Sequence, residues 1–291
     1  MNDIYVLNQD FQIIDIIDEY VSTIWRPSYS DVGDFEIYLG ASQKAVDLLQ
    51  ENRYVVRSMD ITVDNGIVTY KKVMIIKNIQ LVTDVENGDY LTVTGRELKY
   101  LLHQRIIWAQ MNLLGTAEKA IRDIVDYNAI NPTNEKRVIP NLILAESLGL
   151  TDKIDRQITG DYVDKAIVEI CQTYNYGWEI YISNNQLIFR VYTGTDRSYG
   201  QNVVPYIVFS EDFENLYNTE YQKNTEEFAN TTLIGGEGEG MERFYTTLGD
   251  EYTGLNRFET FTDARDLSQN KGSSEETEEE DSGGIKFVEL H

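Results

Sequence analysis

Apolar and polar positions alternate through residues 1–90 with the period of two that marks half-buried β-strands. Ile4–Leu7 and residues 11–17 are short apolar runs parted at Asn8-Gln9-Asp10. Thr23 and Trp25 alternate toward Pro27, and after a Gly-containing loop Phe35, Ile37 and Leu39 alternate across Glu36 and Tyr38. Asn65-Gly66 and Asn87-Gly88 each supply the two positive-φ residues of a type I′ hairpin turn. Residues 41–51 carry Ala45, Leu48 and Leu49 at helical spacing. An antiparallel barrel or a strongly curved sheet is the economical outcome, because both reduce exposed edges. Residues 91–108, LTVTGRELKYLLHQRIIW, then open as a strand and turn at Gly95 into a helix. Thr94 and Glu97 stand at capping-box spacing, and Leu98, Leu101, Leu102 and Ile106 form a stripe that Arg105 interrupts.

From residue 109 the period changes. Thr116 is placed to cap a helix through Asp126 with Ala117, Ala120, Ile121, Ile124 and Val125 inside, ended by Asn131-Pro132. Residues 131–160 read as a loop-rich passage with an apolar run at 138–150 broken by Pro140. A second helix, 161–174, buries Val163, Ala166, Ile167, Ile170 and Cys171 and stops at Gly177. Residues 178–182 and 187–192 pair across Asn184-Asn185. Strands return at 204–209, 217–221, 228–235 and 244–248. The fold class is α+β, mainly β: a barrel-like domain at 1–108, a small α+β domain at 109–203, a second β segment at 204–268 and a disordered acidic tail at 269–291.

Charge narrows the functions. Of 291 residues 49 are acidic and 25 are lysine or arginine, a net charge of −24, which repels nucleic acid and anionic membranes. Residues 270–291 hold seven acids and two lysines, so about −19 remains on the rest. No apolar run approaches the roughly 20 residues of a membrane helix, and the N-terminus lacks a signal-peptide pattern. One cysteine, Cys171, and two histidines, His103 and His291, exclude an intrachain disulfide and leave metal or cofactor binding without a motif. Asp84, Glu86 and Asp89 lack the calcium-loop ladder, and GGEGEG at 235–240 lacks the lysine and following helix of a phosphate loop. His103 has no serine or cysteine motif beside it and reads as a structural histidine, so no catalytic residue is assigned.

Taken in order, a set of short motifs resembles the siphophage ReqiPepy Gp-type hub family, the N-terminal hub module of phage tail-associated and baseplate-hub proteins. The motifs are Trp25 with Gly33-Asp34-Phe35-Glu36-Ile37-Tyr38-Leu39, then Val93-Thr94-Gly95-Arg96 with Leu101-Leu102 and Arg105-Ile106-Ile107. Further along come Gly194, Asp196 and Arg197, then Phe209 and Asn215, then Asn230, and then Asp263 and Arg265 in the run Thr262-Asp263-Ala264-Arg265. The resemblance implies barrel-like hub modules around an inserted α+β domain and a non-enzymatic homotrimer at the virion tail tip, made in the host bacterial cytoplasm. Its implied partners are a distal tail or tail-tube ring on one side and a tail fibre, spike or lytic tip component on the other. DNA passes through such a ring without specific binding.

Members of the family commonly continue past Thr262-Asp263-Ala264-Arg265, whereas this chain runs into acids and stops at His291. The expectation is a fragment or a short member, with no peptidoglycan-cleaving domain in this polypeptide. Two other functions compete. A tail-associated wall-degrading enzyme is suggested by the acid content. A glycan-binding adhesion module is suggested by 20 tyrosines and three tryptophans, although Trp25, Trp108 and Trp178 stand in patterned elements that favour core packing.

Overall fold

The computed structural model describes residues 3–84, 88–217, 219–236, 238 and 243–264. Asn87 of the second hairpin signal, Glu86, half of the Gly-rich stretch at 235–240, Arg265 and the acidic tail lie outside the described residues. The chain divides into two compact units, residues 1–207 and 208–291.

The first unit opens with β1 (Ile4–Leu7), β2 (Ile13–Ile17), β3 (Ser22–Arg26) and β4 (Asp34–Gly40). Helix α1 (Gln43–Leu48) and β5 (Tyr54–Arg57) follow. The hairpin of β6 (Ile61–Asp64) and β7 (Ile67–Tyr70) precedes two long strands, β8 (Met74–Asp84) and β9 (Gly88–Glu97). Seven of these strands form one antiparallel sheet in the order β2-β1-β5-β8-β9-β4-β3. The ends of that order, β2 and β3, pair with no further strand among the described residues, so the sheet is open rather than a closed barrel.

Alternation along the central strands feeds two cores. Val55, Met74 and Ile76 face one side with Ile4, Val6, Phe35, Ile37 and the α1 residues Ala45 and Leu48. Their neighbours Val56 and Ile75 face the other. Ser42 caps α1, its Oγ accepting the Ala45 N–H at 3.1 Å. Asn65 (φ 47°) and Gly66 (φ 80°) turn the β6–β7 hairpin as the dipeptide requires.

Gly95 does not turn the chain into a helix. β9 runs through it to Glu97, and a short 3₁₀ helix spans Leu98–Gln104. The strand persists because Phe35 pairs with Gly95 on one side and Ile76 on the other. The three-residue period of the 3₁₀ turn also moves the expected stripe: Leu98, Leu101 and Leu102 are buried, while Arg105 is extended and Ile106 is exposed.

Then come β10 (Met111–Thr116), α2 (Ala117–Val125), a π-type turn at Asp126–Ile130 and β11 (Leu142–Leu144). β12 (Lys153–Ile158), α3 (Val163–Tyr174), β13 (Tyr176–Ser183) and β14 (Gln186–Thr193) complete the unit's regular structure. Thr116 caps α2 by accepting the Lys119 N–H at 3.3 Å. α3 ends at Asn175, whose left-handed φ of 54° makes the stop; Gly177 lies inside β13 instead. Strands β10, β11 and β12 went unread in the sequence. β11 pairs in parallel with β14, and β10 pairs with β12 at a sequence separation no local pattern announces.

The β6–β7 hairpin joins β13, giving a five-stranded sheet in the order β11-β14-β13-β7-β6. Ile121, Ile124, Ile167 and Ile170 pack in one core with Trp178, Ile180 and Phe189. Each such side chain contributes about 1.5–3 kcal/mol by leaving water.

Burial also sets an alkaline limit on this unit. It pushes the Cys171 thiol from 9.0 up to about 12 and, with Glu179 nearby, the Tyr192 phenol from 10.0 up to about 12. Both folded values lie above the unfolded ones, so the stabilisation is intact below about pH 9 and is lost as pH rises toward about 12. Urea melts at about pH 8 and about pH 10.5 should show the fall; equal midpoints would contradict it.

The second unit contains β15 (Thr231–Gly235), β16 (Tyr245–Leu248) and β17 (Glu259–Asp263). They make a sheet of their own, β16 antiparallel and β17 parallel to β15. The strand expected at 204–209 does not form. Gln201 binds the backbone of Val203 and Val204, and Asn215 binds Val208 and Ser210, so side-chain amides occupy the groups a ladder would use. None of the described residues of 217–221 is in a strand either.

Candidate functional site

The first group of motif residues converges on the loop between β3 and β4. Glu97 Oε2 accepts the N–H of Gly33 at 3.0 Å and of Ser28 at 3.3 Å. This replaces the expected capping box with Thr94, since the carboxylate is taken by a loop 64 residues away. Lys99 is fully buried, and its Nζ donates to the carbonyls of Ser28 at 2.6 Å and Asp31 at 2.9 Å, with Glu97 at 3.5 Å. The same ammonium lies 5.0 Å above the Trp178 ring. Burial pulls the Lys99 ammonium below its ordinary range and pushes Glu97 above its own, each opposed by the other's charge.

Glycines let these groups close up. A Cβ on Gly33 would stand 2.2 Å from the Arg26 carbonyl oxygen, and one on Gly95 would stand 1.9 Å from the Ile75 carbonyl oxygen and 2.7 Å from the Phe35 ring. Phe35 is buried with the half-buried Trp25 at 5.3 Å between ring centroids. Loop 27–33 is tied to the α+β part: Trp178 Nε1 donates to Ser30 O at 2.7 Å, and the Tyr29 hydroxyl accepts the Gly194 N–H at 2.7 Å. Lys99 and Tyr29 were missed in the sequence. The signal was available in LKYLL, where a three-residue period puts Lys99 with Leu102 on a buried side.

Leu102 is buried in the same core. Arg105 donates from Nε to the Arg137 carbonyl at 2.5 Å, and so holds a loop. Arg96 is exposed and shares a shallow cleft of about 330 Å³ with Tyr100, His103 and Asp164. His103 is stacked between Tyr100 and Tyr162, and its Nδ1 lies 3.0 Å from the buried Asp164 carboxylate. Among the described residues no serine, threonine or cysteine lines that cleft.

Four of the remaining motif residues also bind backbone. Asp196 accepts the Ser198 N–H at 2.8 Å, which holds its carboxyl below the ordinary range, and Arg197 donates to Pro205 O at 3.3 Å. In the second unit Asn215 closes the 208–215 loop, and Asn230 donates to Asn256 O at 2.8 Å while accepting the Phe258 N–H at 2.9 Å. Asp263 pairs closely with Arg243, whose guanidinium also holds Gly235 O at 2.9 Å. Phe209 is exposed.

The second unit carries far more apolar surface than it buries. Among its described residues Ile234 is the one buried hydrophobic side chain, at 8% exposure. Tyr221 is 88% and Leu255 98% exposed, and Phe209, Phe213, Tyr217 and Phe261 are exposed as well. Among the described residues no cluster of three or more His, Cys, Asp or Glu could hold a metal ion, and no helix is long and apolar enough to cross a membrane.

The model of the family described as Siphovirus ReqiPepy6 Gp37-like protein matches residues 3–285. No curated protein matches the chain. Among solved structures, the tail protein from Neisseria meningitidis MC58 aligns over 91% of this chain and 72% of its own length, at 14% identity and a TM-score of 0.51. The prophage tail protein gp18 from Listeria monocytogenes EGD-e aligns over 91% and 73%, at 12% identity and a TM-score of 0.47. The first of these likenesses shows a shared mainly β fold.

Proposed function

The chain belongs to the Siphovirus ReqiPepy6 Gp37-like protein family, a family of phage tail proteins, and from that membership we propose that three copies form a hub at the distal end of the tail. The hub joins a six-fold tail-tube ring to a three-fold fibre, spike or lytic tip component, the three copies closing as a ring. The observation that carries this reading is the second unit's surface. A three-stranded sheet with one buried hydrophobic side chain among its described residues gains its stability from neighbours that cover Tyr221, Leu255 and Phe261.

The charge fits a conduit. At −24 per chain, the ring repels DNA phosphates and lets the genome pass without sticking. The role is structural rather than enzymatic: the motif residues Arg105, Asp196, Asn215 and Asn230 spend their polar groups on backbone, and His103 is locked between two rings. The protein is assembled in the host bacterial cytoplasm and ends in the virion tail tip.

Light scattering of the purified chain tests the proposal. The expected mass is about 100 kDa, three times 33.5 kDa, with an obligate-sized buried surface of ~2,000 Å² or more. Leu255→Asp should split the trimer by placing a charge in the covered face. A single-chain mass at every concentration up to about 100 μM would contradict it.

A further inference from the structure

Residues 108–137 form an open cleft of about 630 Å³ within the first unit. Trp108, expected in the core, stands 65% exposed at its mouth. It is nevertheless held in place. Its backbone N–H donates to Asn128 Oδ1 at 3.3 Å, the Asn128 amide is buried and donates to Ile124 O at 2.9 Å, and the Arg137 guanidinium lies 4.8 Å over the indole. Tyr127 is the second exposed aromatic, 58% accessible, and it is presented by the π-type turn that widens the end of α2.

The rim is mixed in polarity and rich in amides. Asn112 and Asn134 have their carbonyl oxygens engaged, by Gln157 and by the Lys136 N–H, so each offers NH₂ donors. Asn131 donates to Asp126 and so offers its carbonyl oxygen, while the exposed Gln110 and the Tyr127 hydroxyl make no hydrogen bond with a described residue. Two charges stand at the cleft: Asp123 is ion-paired with Lys119, and Arg137 donates from Nη2 to the Ile106 carbonyl at 2.5 Å while lying over the indole.

We propose that this cleft binds a neutral saccharide, Trp108 and Tyr127 presenting ring faces to the apolar side of a pyranose and the amides of Asn112, Asn131 and Asn134 bonding its hydroxyls. Aromatic faces beside polar handles suit a ligand that is apolar on one side and hydroxylated on the other. The overall charge of −24 disfavours a nucleotide or another anion. This inference is independent of the trimeric-hub reading.

Calorimetric titration of the full chain with N,N′-diacetylchitobiose, lactose and cellobiose tests it. Saturable binding by at least one sugar is expected, and a preference for chitobiose or for the hexose disaccharides tells an N-acetylated wall-type ligand from a neutral hexose one. Trp108→Ala should weaken binding about tenfold or more, and Asn134→Asp, which keeps an oxygen for the Lys136 N–H and removes only the NH₂ donor, should weaken it several-fold. No saturable heat from any of the sugars up to about 10 mM, or wild-type affinity in both variants, would overturn the proposal.

Discussion

Gly95→Ala is expected to lower the unfolding free energy by about 3 kcal/mol or more, although it adds one methyl group. The added Cβ would lie 1.9 Å from the Ile75 carbonyl oxygen, on backbone that cannot rotate away, and 2.7 Å from the Phe35 ring. Relief requires β8 and β9 to separate at the centre of the seven-stranded sheet, where Ile75, Ile76 and Phe35 are buried. Gly40→Ala is the control, because nothing lies within 4 Å of a Cβ at that position. Urea denaturation reads both. A Gly95→Ala midpoint within error of wild type, at unchanged m-value, would refute the steric account.

Lys99→Met should cost about 3–5 kcal/mol, the range for removing one partner from a buried charge pair. The methionine fills comparable space but leaves Glu97 unpaired and the carbonyls of Ser28 and Asp31 without their donor. The deficit carries a pH signature. Burial already raises Glu97, and removing Lys99 takes away the opposing charge. A carboxyl with a raised folded pKa gives stability present below its unfolded value and lost as pH rises through the folded one. The variant's deficit should therefore shrink in acid and be largest at neutral pH, and Glu97→Gln in the same chain should recover part of it. A pH-independent deficit would assign the loss to packing alone.

The legible parts of this fold are those whose cause is local. Thr116 with its helix, the buried face of α3 and the Asn184-Asn185 turn could be read from spacing, because capping, helical period and positive φ involve residues a few positions apart. The misread parts have distant causes. Gly95 looked like a turn and is a contact between strands, and Glu97 looked like a cap and is taken by Gly33. The apolar run at 204–209 has strand composition, but Gln201 and Asn215 occupy its backbone. Parallel pairing of β11 with β14 and the docking of β7 on β13 have no signature within either segment.

Among the motif residues, the glycines were visible as a pattern, but their reason was not. Gly33, Gly95 and Gly194 share a function only when Glu97, Lys99 and Tyr29 are seen between them. Trp108 shows the opposite error. An apolar residue at the end of LLHQRIIW reads as core, yet the chain leaves the 3₁₀ turn extended and Ile107 takes the buried place.

An image of the tail tip reconstructed without imposed symmetry, with this chain located in it, is the most direct measurement. The account predicts three copies closed around the tail axis between the tube and the tip, with residues 208–264 of each chain covered by a neighbour. Six equivalent copies, or a copy lying off the axis with that surface bare, would contradict it.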